Sequence, residues 1–224
     1  MEVFAGVVDP ETGHREQSIG EEIANSVSHG AGALAALGVM PILLGHALRQ
    51  EAGSRAVAGA AVFGASVLLL YLGSTLYHAL PHGRFKRGFR LVEHMAIYFL
   101  ISGTYTPFML GVLHGPLGTG MLATVWTLTA AGVLFKLFGG TRFPRFSTIL
   151  YLLMGWVVVI GIRPLWRLMP HPGFYLLVAG GLAYTVGVVF YLRDHRWRYG
   201  HFVWHLFVLT GTACHFCAVL WYAG

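Results

Sequence analysis

Charge is scarce in this chain. Of its 224 residues only 11% are Asp, Glu, Lys or Arg, and just nine are acidic. A water-soluble domain carries about a quarter of its residues charged, so an ordinary soluble fold is excluded. Cysteine is scarcer still. Cys214 and Cys217 are the only two, both inside the last apolar segment, which excludes a disulfide framework. Their C-x-x-C spacing has the form of a redox motif, but no neighbouring cation favours a thiolate; they read as small buried side chains. The first 25 residues carry several acids and a proline and lack the apolar core of a cleavable signal peptide. Low-complexity stretches and internal repeats are missing too. The net charge of +6 comes without any aromatic-basic nucleic-acid motif, so nucleic acid is not an expected partner. Basic loops of a membrane protein explain the charge instead.

What is abundant is apolar sequence: 56% of residues are hydrophobic and the mean hydropathy is +0.65. Windows of roughly 20 apolar residues, each long enough to cross a bilayer as a helix, recur seven times. They cover 26–48, 56–80, 91–112, 117–138, 146–165, 173–192 and 200–222. Stop signals separate them, among them Pro81-His82-Gly83-Arg84, Pro170-His171-Pro172-Gly173 and Arg193-Asp194-His195-Arg196. The reading is all-α: a short polar tail over 1–25, then one seven-transmembrane-helix bundle over 26–224. The 30 glycines suit helices in close approach within lipid. Trp166, Trp197 and Trp221 fall near helix ends, as interfacial anchors do. Pro41 and Pro107 are expected to kink the first and third helices, and Asn25 and Ser28 either to cap the first, the favoured use, or to bond the site residues.

Orientation follows from the basic residues. With the N-terminus in the cytoplasm, 11 of the 15 lie on the cytoplasmic side: Arg15, Arg84, Lys86, Arg87, Arg90, Lys136, Arg142, Arg145, Arg193, Arg196 and Arg198. Only Arg49, Arg55, Arg163 and Arg167 lie outside. This bias predicts a cytoplasmic N-terminus and an external C-terminus.

Histidines carry the chemistry. Twelve in 224 residues give roughly 0.6 i,i+4 pairs by chance, so His201-Phe202-Val203-Trp204-His205 alone decides nothing. His78 and His82 form a second such pair, but Pro81 ends that helix and makes the spacing a coincidence. Topology adds the signal. The cytoplasmic end of helix 2 holds Ser74 and His78, which share a face. Helix 3 starts on that side with Glu93 and His94, and helix 7 with His201 and His205. Helix 1 starts there with Glu21, Glu22, Asn25, Ser28 and His29. Glu93 is the one acid near a span besides Glu21 and Glu22. His215 lies roughly 15 Å further along its helix and reads as a core histidine. His78, His201 and His205 supply the three neutral imidazoles of a catalytic zinc site, which leaves a position for water. Glu93 would then act as base or proton shuttle, and Ser74 as hydrogen-bond donor to the water or substrate oxygen. Spacing and parity alone fit equally with three unrelated interfacial histidines and with Glu93 as an exposed partner of Arg90.

Four stretches carry a resemblance: Glu22-Ile23-Ala24-Asn25-Ser26-Val27-Ser28-His29, Ser74-Thr75-Leu76-Tyr77-His78, Glu93-His94-Met95-Ala96-Ile97-Tyr98 and His201-Phe202-Val203-Trp204-His205. Together with Ile101-Ser102-Gly103-Thr104-Tyr105-Thr106-Pro107-Phe108 they resemble the hemolysin III family. This is the bacterial branch of the progestin and adipoQ receptor family, which includes the adiponectin receptors. The resemblance spans residues 20–222. It implies a multi-pass protein of the bacterial inner membrane, with seven helices, a cytoplasmic N-terminus and a Zn2+ site near the cytoplasmic face. The family's S-x-x-x-H falls on Ser74 and His78, and its H-x-x-x-H on His201 and His205, so the three histidines would be the ligands. Its usual aspartate falls on Glu93, one methylene longer. The wider superfamily includes enzymes that hydrolyse the amide of ceramide, which implies a membrane lipid as substrate or ligand.

Three functions compete. The first is zinc-dependent, ceramidase-like hydrolysis of a lipid amide or ester. The second is a sensor or regulator in which zinc clamps helices 2, 3 and 7. The third is a pore or cytolysin, which the family name suggests. An aqueous lumen needs a polar row along a whole helix, whereas the polar residues here gather at one end.

Overall fold

The computed structural model describes residues 15–50, 53–140 and 143–223. Arg142, most of the polar tail (residues 1–14) and Glu51 and Ala52 of the first loop lie outside the described residues. Regular structure among the described residues is helical, with no strand. In chain order come α1 (Ile19–Ala47), α2 (Ser54–Ala79), α3 (Arg84–Leu110), α4 (Pro116–Gly139) and α5 (Pro144–Trp156). A 3₁₀ segment (Val157–Gly161) then leads into α6 (Ile162–Leu168), followed by α7 (His171–Arg193) and α8 (Gly200–Tyr222).

Among the described residues six segments are long and apolar enough to cross a membrane: α1, α2, α4, the run Pro144–Leu168, α7 and α8. Their outer faces carry large bare hydrophobics such as Leu34, Leu37, Phe138, Leu153 and Leu182. A surface of that kind is stable against lipid rather than water. Trp166, Trp197 and Trp221 are each at least 41% exposed near the ends of this apolar zone.

Chain neighbours pack side by side, and α8 returns to α1 and closes the ring. α3 is long enough to span but falls short of the others in hydropathy. The reason is position. It packs against α2, α4, α5 and α8, and 13 of its 27 residues are buried. Facing protein, it can carry polar side chains provided each is satisfied. Ser102 Oγ donates to Val125 O at 3.0 Å, Thr106 Oγ1 to Ser102 O at 2.8 Å, and Trp126 Nε1 to Thr106 Oγ1 at 3.2 Å. Pro107 lies within α3, and Gly59 of α2 sits against it. A Cβ on Gly59 would come within 2.6 Å of Pro107 Cα, so the two backbones meet there.

Two boundaries differ from the apolar windows, with local causes. α1 starts at Ile19 rather than 26, because Ser18 and Glu21 form a capping box. Asn25 and Ser28 are therefore interior helical residues and do not cap α1. The fifth apolar run is broken rather than continuous, at the β-branched stretch Val157-Val158-Val159-Ile160. Tyr105, fifty residues away on α3, serves the break. Its hydroxyl lies 2.9 Å from Met154 O and 2.7 Å from Gly155 O, and accepts from Val158 N–H at 2.7 Å.

Glu21 fixes the closure of the ring. Its carboxylate takes a bidentate pair from Arg15 at 2.7 Å and accepts from the Ser18 N–H at 2.9 Å and the Tyr199 N–H at 2.8 Å. The last bond ties the loop before α8 to the first turn of α1. Tyr199 is in the left-handed region at φ 58°, the one described non-glycine residue there. Tyr105→Phe should strand the backbone groups at the 3₁₀ break and cost about 1–3 kcal/mol, read as a lower melting temperature in detergent.

Candidate metal centre

The site forms where helix ends meet. The last turns of α2 bring Ser74 and His78, α3 brings Glu93, and the first turns of α8 bring His201 and His205. One donor atom from each of His78, Glu93, His201 and His205 lies within 4.8 Å of the others. The ring centroids of His78 are 5.1 Å from His201 and 5.2 Å from His205, and those of His201 and His205 are 4.8 Å apart. Glu93 is 6% exposed, buried rather than interfacial, with Oε1 3.5 Å from His78 Nε2. Ser74, one turn before His78, is fully buried and its Oγ has no partner.

The hydrogen bonds divide each ring in two. His78 Nδ1 donates to Glu22 Oε2 at 2.6 Å, and His201 Nδ1 to Asp194 Oδ2 at 2.9 Å. His205 Nδ1 faces Ser28 Oγ at 3.1 Å and Asn25 O at 3.2 Å. Ser28 Oγ itself donates to Asn25 O at 2.8 Å, so it offers His205 a lone pair. In all three rings Nδ1 is therefore a donor, and in the neutral ring the lone pair sits on Nε2. The three Nε2 atoms are buried and have no hydrogen-bond partner. An unsatisfied buried acceptor costs about 1–3 kcal/mol, and three beside one carboxylate are a donor set for a divalent cation. Outward acceptors on Nδ1 are what metal-bound histidines use to fix tautomer and ring plane.

The supports are held in turn. Lys86 Nζ bonds Glu22 Oε1 at 2.9 Å and the carbonyls of Tyr77 and Leu80 at 3.1 Å, which closes the open end of α2 and holds the carboxylate on His78. His29 stacks on His205 with centroids 3.6 Å apart and planes 2° apart. The Asn25 side-chain amide donates to Gln17 Oε1.

The structure thus brings together His78, Glu93, His201 and His205, with Ser74 adjacent. His94 stays outside the cluster; its carbonyl accepts from Tyr151 at 2.7 Å. His82 is separate and exposed, 3.8 Å from Glu16. His215 is a distant core residue with Nε2 3.2 Å from Leu177 O. Both cysteines are free. The acids near the spans are not Glu21, Glu22 and Glu93 alone. Asp194 joins them, and its role was hidden because its partner is seven residues downstream across a loop. Among only nine acids, each one at a helix mouth was a candidate acceptor, and that was the available signal for Glu22 and Asp194.

A cavity of about 770 Å³ leads from one end of the bundle to Glu93 and His201. Its lining comes from the segment before α1 and that helix's start, the end of α2, the starts of α3 and α5, the end of α7 and the start of α8. All of it lies at the end that holds the histidines.

Comparison with known proteins gives a consistent picture. The family model described as haemolysin-III related matches residues 17–216. Hemolysin-3 of Bacillus cereus is 45% identical over 92% of this chain and 93% of its own length. A hemolysin-3 homolog of Bacillus subtilis is 43% identical, covering 92% and 95% respectively. The human monocyte to macrophage differentiation factor is 28% identical over 94% of the chain and 87% of that protein. No solved structure matches.

Asp194→Ala should release His201 Nδ1 and weaken binding of a divalent ion about 10–100-fold with the helical content unchanged. Competition against a chromophoric chelator measures it; unchanged affinity would remove Asp194 from the site.

Proposed function

The chain belongs to the haemolysin-III-related family, and from that premise we propose that it is an intramembrane zinc hydrolase acting on a lipid amide or ester. One observation carries the reading: three buried imidazoles, each with Nδ1 bonded outward, turn unpartnered Nε2 atoms toward one another beside a buried carboxylate. An all-nitrogen and oxygen donor set with room for water suits zinc. We also infer seven spans, with α3 as the interior one. The N-terminus is then cytoplasmic and the cavity opens to the cytoplasmic side of the bacterial inner membrane. The sorting of basic residues supports that orientation.

In this reading His78, His201 and His205 hold the ion, which supplies polarisation of the scissile carbonyl and acidification of water. Glu93 accepts the proton of the attacking water and returns it to the departing amine or alkoxide. Its extra methylene relative to the family's aspartate lets the carboxylate reach across from α3. Ser74 Oγ–H has no partner and donates to the substrate oxygen. Glu22 and Asp194 orient the rings from outside.

A structural clamp is the second reading, because the same cluster joins α2, α3 and α8. The pore reading gains nothing from a charged cavity confined to one end of the bundle.

Metal analysis of purified wild type beside His78→Ala and Glu93→Gln, coupled to a screen of lipid amides and esters, tests the proposal. Wild type should hold near-stoichiometric zinc and turn over; His78→Ala should lose both. Glu93→Gln should keep zinc and lose about 10²–10⁴-fold in rate. If zinc-loaded wild type cleaves neither bond type while chelation lowers its melting temperature, the clamp stands in place of the hydrolase.

A further inference from the structure

One buried ring beside the metal centre is neither a candidate ligand nor a hydrogen-bonded support. His29 of α1 is 2% exposed, and neither of its ring nitrogens has a hydrogen-bond partner. An apolar side chain of similar shape would cost no more there, so hydrogen bonding does not explain an imidazole. What the ring does use is its face. It lies on His205 with centroids 3.6 Å apart and planes 2° apart, and the Tyr71 ring is 4.9 Å away at 36°.

The same turn of α1 holds the edge of His205. The Nδ1 atom of that ring faces Asn25 O at 3.2 Å and Ser28 Oγ at 3.1 Å. Residues 25–29 therefore seat His205 by edge and by face. Among the described residues, the ring contacts of His78 and His201 are all tilted by 53° or more. Parallel planes also exclude His29 as a further imidazole on the same ion. A ring-nitrogen lone pair lies in the plane of its ring, so the lone pairs of two parallel rings do not converge on one metal.

The stack is the wrong shape for two neutral rings. Carbon atoms in contact rest about 3.5 Å apart, so a centroid distance of 3.6 Å puts one ring almost squarely over the other. Neutral aromatic pairs avoid that sandwich, in which two negative faces meet, and prefer an offset or an edge. The sign reverses when one ring is electron-poor, because positive charge is drawn to the face of a neutral ring. A divalent ion on His205 Nε2 would withdraw charge from that imidazole and make it such a ring.

We propose that His29 is a positioning residue for the metal-loaded state, its ring face stabilising the His205 imidazole once Nε2 holds the ion. The inference rests on the metal centre of the proposed function and not on hydrolysis. It makes α1 part of that centre without a ligand of its own. It also separates two quantities that a packing residue would couple: the stack favours metal binding and adds nothing to the stability of the metal-free fold.

The test uses the full chain in detergent, stripped of metal and reloaded with zinc. His29→Leu and His29→Met fill the space without a ring face. His29→Phe keeps a face and, like them, has no ring nitrogen. Zinc affinity is read by competition against a chromophoric chelator, and the melting temperature with and without zinc. The two aliphatic variants should bind zinc about tenfold more weakly than wild type, the scale of one cation on a ring face. Their metal-free melting temperatures should equal or exceed that of wild type. His29→Phe should bind zinc as wild type does. Wild-type affinity in the aliphatic variants overturns the proposal. A metal-free melting temperature below wild type in both, or failure of both to fold, makes His29 a packing residue and overturns it as well. So does a Phe variant as weak as the aliphatic ones, which would assign the effect to the ring nitrogens. Wild type that binds no zinc removes the metal centre itself, so that failure is distinct from a failure of the stack.

Discussion

A histidine ring buried among apolar helices has two nitrogens to satisfy, and here one of the two has a partner in each of three rings. Glu22, Asp194 and the Asn25 carbonyl take the Nδ1 protons of His78, His201 and His205. The Nε2 atoms are left facing one another. A buried ring nitrogen without a hydrogen-bond partner is expensive, and the neighbouring side chains hold the rings in that arrangement. Lys86 fixes Glu22, Ser28 shares in holding His205, and His29 lies flat against the His205 ring.

The fold delivers this arrangement by gathering helix ends. Chain parity brings the starts of α1, α3 and α8 to the same end as the finish of α2, and Glu21 locks α1 to the bend before α8. The interior position of α3 follows from the same closure. It packs against α2, α4, α5 and α8, and in that position can carry Glu93 and a ladder of hydroxyls. The 3₁₀ break after α5 is tolerated because the Tyr105 hydroxyl on α3 bonds backbone groups on both sides of it.

Much of this was legible in the chain. Apolar windows locate the helices, and parity plus the family likeness bring His78, Glu93, His201 and His205 to one level. Features that depend on contacts between distant residues were not legible. The capping box at Ser18 lies outside any apolar window, so α1 begins earlier than hydropathy implies, and of the two uses open to Asn25 and Ser28 the structure takes support of the site over capping. Asp194 reads as part of a stop signal until the loop folds it back onto His201. Tyr105 has no local mark that ties it to a break fifty residues on. Lys136 reads as one more cytoplasmic cation, and only the packing of the helices shows it to be buried.

The central claim is that three imidazoles turn their Nε2 atoms onto one ion. X-ray absorption at the zinc edge of the metal-loaded protein tests it most directly. The account predicts a first shell of nitrogen and oxygen, with three imidazole nitrogens at about 2.0–2.1 Å, and one imidazole fewer in His205→Ala. A shell containing sulfur at about 2.3 Å, which would place the ion on Cys214 and Cys217, would contradict it.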